Sequence, residues 1–164
     1  MKYTGFIDKT LLLEAGNEYD LEILRIIDIP GDKRYFLGRD GNGLKHLIPV
    51  DYYTDYGITP GDTVSCRLDK INCQGRFYFE PEHPVYKCNT TYYFELIEVF
   101  SDNSNSHNGI TRARVRDIFG REWKTAKFKS RSSFPGDISS LLCLVVALKK
   151  ARLFLRVLDP RVLS

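Results

Sequence analysis

The chain states its pattern twice, and that repetition constrains its fold more than any other feature. Tyr19-Asp20-Leu21-Glu22-Ile23-Leu24 has a counterpart in Tyr92-Tyr93-Phe94-Glu95-Leu96-Ile97. The stretch YFLGRDGNGLKHLI then lines up with RARVRDIFGREWKTA, setting Arg39-Asp40 over Arg116-Asp117, Gly43 over Gly120 and His46 over Trp123. A Pro-Gly-Asp turn follows in each half, at Pro60-Gly61-Asp62 and Pro135-Gly136-Asp137. Each turn opens a last hairpin that closes at a proline, Pro81 or Pro160. Landmarks this numerous, in one order, point to two homologous modules.

Helical periodicity is hard to find, while strand-like runs broken by Gly, Asn, Asp and Pro are plentiful. Ten Tyr, ten Phe and one Trp suit pleated sheets. Each module offers a long first strand, a hairpin, a connecting loop and a last hairpin, about five strands in about 70 residues. The expected fold is all-β, two tandem five-stranded Greek-key barrels of the oligonucleotide/oligosaccharide-binding (OB) kind. An SH3-like barrel or a small sandwich is the alternative. The reading gives an N-terminal extension over 1–17, a first barrel over 18–88 and a second over 89–164. Asn42-Gly43 is read as a hairpin turn that needs positive φ.

The net charge of +3 divides unevenly, −3 over residues 1–90 and +6 over 91–164, so the second module is expected to face an anionic partner. No apolar run approaches the roughly 20 residues of a bilayer span, and Asp8 and Lys9 interrupt any apolar signal segment. A cytoplasmic protein with no membrane partner is expected. No nucleophile elbow, phosphate-binding loop, HExxH pair or paired carboxylates occur in the sequence, so no enzymatic activity and no cofactor are expected.

Cys66, Cys73, Cys88 and Cys143 form no CxxC pair, which argues against a metal site. Cys66 alternates with Val64 and Leu68, and Cys143 lies inside LLCLVVAL, so both are read as reduced core residues. Leu141 to Leu148 is apolar on both faces, and such a strand is normally covered on both sides. The second cover is expected from the other module, a partner or another copy of the chain.

The first module, over roughly residues 18–81, resembles the RNA-binding OB repeat of the ribosomal S-one type, related to cold-shock domains. Gly43-Leu44-Lys45-His46-Leu47 is similar to that family's "GLVHI" segment, Gly61-Asp62-Thr63-Val64 to its "GDxV" turn, and Arg76-Phe77-Tyr78-Phe79 to its closing strand. The resemblance implies RNA contact through Tyr35, His46 and Arg76. Gly31-Asp32-Lys33-Arg34 stands near the place of the family's aromatic "FGxF" segment.

Strand alternation assigns faces independently of the family. With Ala113 and Val115 inside, Arg112, Arg114 and Arg116 point outward. With Ala126 and Phe128 inside, Trp123, Thr125, Lys127 and Lys129 point outward beside them. In the first module the same reasoning exposes Tyr35, Leu37, Arg39, Leu44 and His46. Arginines, lysines and a tryptophan on one sheet face suit an extended chain of phosphates and stackable bases. The expected function is binding of RNA or single-stranded DNA, chiefly through the second module. The alternative is a protein-interaction or scaffold module that binds a protein partner or itself.

Overall fold

The computed structural model describes residues 13–31, 33–101, 110–129 and 137–163. The described residues hold eleven strands, two short 3-10 turns at Val50–Tyr52 and Thr54–Tyr56, and no α-helix. Among the described residues no helix is long and apolar enough to cross a membrane. The chain divides into two compact units between Glu82 and His83. His83 and Tyr86 are buried, and Tyr86 packs in the second unit's core.

In the first unit, β1 (Glu18–Asp28), β2 (Arg34–Arg39), β3 (Lys45–Pro49), β4 (Thr63–Ile71) and β5 (Phe77–Pro81) form one antiparallel sheet in the order β3-β2-β1-β4-β5. Its two edge strands meet through side chains, with the His46 ring 5.6 Å from Phe77 and 4.7 Å from Phe79. Inside lie Leu21, Ile23, Phe36, Ile48, Cys66, Leu68 and Phe79, the alternate residues of their strands.

The second unit contains β6 (Thr91–Ser101), β7 (Ile110–Arg116), β8 (Glu122–Lys124), β9 (Phe128–Lys129), β10 (Ser140–Lys149) and β11 (Arg152–Val157). The strand order is β11-β10-β6-β7-β8, and β9 continues the pairing with β7. The sheet is nearly closed: Thr125 makes a parallel bridge to Leu155, and the Ala126 amide donates to the Leu155 carbonyl at 2.7 Å. Bending a sheet until its edges meet removes the unpaired backbone groups that an open edge exposes.

The repetition read in the sequence recurs in the hydrogen bonds. The Gly16 amide donates to Leu68 O and the Leu68 amide to Asn17 O; Asn89 and Val145, then Val145 and Thr90, do the same. The hydroxyl of Tyr19 accepts from the Glu14 amide at 2.8 Å, and that of Tyr92 from the Lys87 amide at 3.0 Å. Register breaks fall at matching places: between Ile23 and Arg25 or Leu96 and Glu98, and between Leu68 and Lys70 or Val145 and Ala147. Such bulges bend a strand and strengthen its twist, as a sheet that curls on itself requires. Because Glu14, Gly16 and Asn17 take part, residues 14–17 are tied into the first unit.

Cys66 and Cys143 are wholly buried and unbridged, each across the ladder from the first-strand tyrosine of its unit, Tyr19 or Tyr92. Burial pushes both thiols up to about 12. Along β10, Leu141, Cys143 and Val145 face the core, Leu142 and Leu144 are half-buried, and Val146 is 48% exposed at the bulge.

Candidate nucleic-acid interface

One turn recurs in both units and decides where two expected ligand residues point. Asp40 Oδ1 accepts the amides of Asn42 and Leu44, both at 2.9 Å, and its Oδ2 lies 2.9 Å from His46 Nε2. Asp117 Oδ1 accepts the amides of Phe119 and Arg121, both at 2.9 Å, and its Oδ2 accepts Trp123 Nε1–H at 2.7 Å. Gly43 and Gly120 supply the positive φ each turn needs, +84° and +79°. Burial pushes the Asp40 carboxyl up, but His46 and the Leu44 and Asn42 amides outweigh it and hold the group below its ordinary value. These carboxylates complete turns, and both of their oxygens are occupied.

The consequence is a correction to the faces. His46 lies across the ladder from Gly38, an inward position, and is buried rather than facing solvent. Trp123 lies opposite Val115, a core residue, so its ring packs against the second unit's core instead of lining the arginine face. Thr125 is also buried, its hydroxyl accepting the Ala113 amide at 3.0 Å, while Ala126 is exposed. The physical reason is the turn: its carboxylate reaches a side chain six residues on only when that side chain folds back over the hairpin.

Tyr35 is half-buried on the outer face of β2, opposite Pro49, and so points away from the side that holds His46. Arg76 is exposed in the turn before β5, its amide held by Asn72 Oδ1 at 2.8 Å. The structure thus turns Tyr35 and His46 to opposite faces of the β2–β3 hairpin. An open cavity of about 470 Å³ beside the Asp40 turn is lined by Leu13, Glu18, Tyr19, Asp20, Asp40, Gly41 and Asn42, an acidic wall unsuited to a polyanion.

Arg112, Arg114 and Arg116 do alternate outward along β7, between buried Thr111, Ala113, Val115 and Asp117. What the sequence reading missed is that β6 brings acids to this face. Register places Glu95 opposite Arg116, Glu98 opposite Arg114 and Phe100 opposite Arg112; on the other side Glu122 faces Arg116 and Lys124 faces Arg114. Arg116 pairs with Glu95 at 3.2 Å and Glu122 at 3.3 Å, and Arg114 with Glu98 at 3.0 Å and Glu122 at 3.6 Å. Carboxylates therefore neutralise the arginines at that end of the face. A signal was available: Glu22 and Glu95 align in the first strands of the two units, Arg39 and Arg116 in the second strands, and Glu22–Arg39 is an ion pair too.

Arg112 differs. It has no carboxylate partner among the described residues, while its buried Nε, like that of Arg114, lacks a hydrogen-bond partner there. Beside it, Lys124 Nζ lies 5.8 Å from the centre of the half-buried Phe100 ring. Lys127 and Lys129 are exposed, and Lys129 pairs with Ile110 two residues before Arg112. No group of three or more His, Cys, Asp or Glu among the described residues could hold a metal ion. Compared with protein-family models and with curated proteins, the chain matches none.

Proposed function

We propose that the chain is a tandem pair of OB-type barrels, the first of the ribosomal S-one kind, that binds RNA or single-stranded DNA. The ligand face is the outer sheet of the second unit at its Arg112 end. The observation that carries this reading is the Arg112 guanidinium, with no carboxylate partner among the described residues, set beside the Phe100 ring and Lys124. A cation without an internal partner attracts a phosphate, and an aromatic ring beside it offers a stacking surface for a base. Strand orders β3-β2-β1-β4-β5 and β8-β7-β6-β10-β11 support the barrel assignment, since in each the first strand pairs with both the second strand and the opening strand of the last hairpin.

The test is a titration of a labelled single-stranded oligonucleotide at three salt concentrations. Arg112→Ala should weaken binding at least fivefold and flatten the log–log salt slope by about 0.7, the value of one phosphate contact on a single strand. Arg116→Ala should change neither by much. A wild-type Kd weaker than about 0.1 mM at low salt, the weak limit of non-specific binding, would favour the scaffold reading instead. That alternative draws on Tyr93, Ile118 and Phe154, exposed to 64%, 68% and 49%.

A further inference from the structure

We propose that Glu98 and Glu122 are specificity residues that shorten the ligand footprint by closing the Arg114–Arg116 end of this face to phosphates. The inference rests on the nucleic-acid reading above. Along β7 the local charge falls from positive to balanced: Arg112 has no carboxylate partner among the described residues, whereas Arg116 stands between Glu95 and Glu122. Arg114 pairs with Glu98 opposite it on β6 and with Glu122 on the diagonal, beside its ladder partner Lys124. A phosphate that approached this end would meet three carboxylates, Glu95, Glu98 and Glu122, around two guanidiniums, so repulsion cancels the attraction. The ligand is held where the acids stop, on Phe100, Arg112 and Lys124.

The fold does not require these acids. In the first unit the same ladder positions are basic. Arg25 lies opposite Leu37 as Glu98 lies opposite Arg114, and Lys45 lies opposite Arg39 as Glu122 lies opposite Arg116. Only the acid of the remaining pair is kept, Glu22 on Arg39 and Glu95 on Arg116. One backbone pattern thus tolerates either sign at two positions, and the second unit carries the acid at both. All four ion pairs are formed by partly exposed side chains, which contribute little to stability, so removing them leaves the fold intact.

The experiment compares wild type, Glu98→Gln/Glu122→Gln and a control, Glu14→Gln/Glu18→Gln, which gains the same net charge in the first unit. The probe is a short fluorescein-labelled oligothymidylate at three salt concentrations. The double variant should bind about tenfold tighter, with a salt slope steeper by about 1.4 as two more phosphates are engaged. The control should stay within twofold of wild type. Wild-type binding with no gain in the double variant, or an equal gain in the control, overturns this inference and leaves the nucleic-acid reading standing. No binding by any of the three overturns both.

Discussion

Asp117 accepts the indole N–H of Trp123 at 2.7 Å, and Asp40 stands in the same relation to His46, 2.9 Å away. An aspartate, a glycine three residues on and a ring six residues on thus make one unit of structure used twice. Asn72 builds the same backbone turn a third time, accepting the amides of Gln74 and Arg76 ahead of Tyr78. In the two aspartate cases the carboxylate orders two amides and orients a ring toward the interior.

Asp117→Ala should therefore destabilise the second unit by about 2–3 kcal/mol, the cost of leaving the partners of a buried, charge-assisted acceptor unsatisfied. Trp123 is the only tryptophan, so its fluorescence reports the change directly. A red-shifted emission and a lower urea midpoint are the expected readings, and an unchanged spectrum would contradict the hydrogen bond.

Trp123→Ala separates packing from ligand contact. With the ring against the core, roughly 2–3 kcal/mol of stability should be lost, somewhat below the cost for a fully buried aromatic. Oligonucleotide affinity, measured on the folded fraction at low temperature, should stay within twofold. A tenfold loss of affinity without loss of stability would return Trp123 to the binding face.

Thiol titration checks the two cores. Cys73 and Cys88 are exposed, whereas Cys66 and Cys143 are buried with thiols held near 12. Two thiols should react with an aromatic disulfide reagent in the native protein, and four only after unfolding.

His83 makes stability depend on pH. Its Nδ1 accepts the amides of Val85 at 3.1 Å and Tyr86 at 3.0 Å, a role only the unprotonated nitrogen can fill. Burial lowers its pKa, and Arg121 adds to this while Asp117 opposes it. Below about pH 6.5 the unfolded chain takes up a proton that the folded chain resists, so stability present above that pH is lost as pH falls toward the folded value. In His83→Asn, which keeps an acceptor but does not titrate, the urea midpoint should fall less between pH 7 and pH 5.

The β10–β11 turn is strained where β2–β3 is not. Lys150 and Ala151 adopt positive φ, 48° and 58°, in a two-residue hairpin where Asn-Gly is favoured. Lys150→Asn should stabilise the second unit by roughly 1 kcal/mol, since asparagine visits that region more readily. A denaturation midpoint at or below that of wild type would contradict this.

The duplication was legible in the sequence because strand period, turn residues and their order are local, and so was the burial of Cys66 and Cys143. The outward turn of Arg112, Arg114 and Arg116 followed from alternation with Ala113 and Val115. The charge state of that face did not, because Glu95 and Glu98 reach it from a strand about 20 residues away across a register break between Leu96 and Glu98. The inward turn of His46 and Trp123 depended on which residue starts each return strand after a four-residue turn. A shift of one residue there exchanges the two faces. Local spacing by itself determined two all-β units with paired turns. Only the tertiary pairing of non-adjacent strands decided which rings are core and which arginines are neutralised, because ladder register sets both.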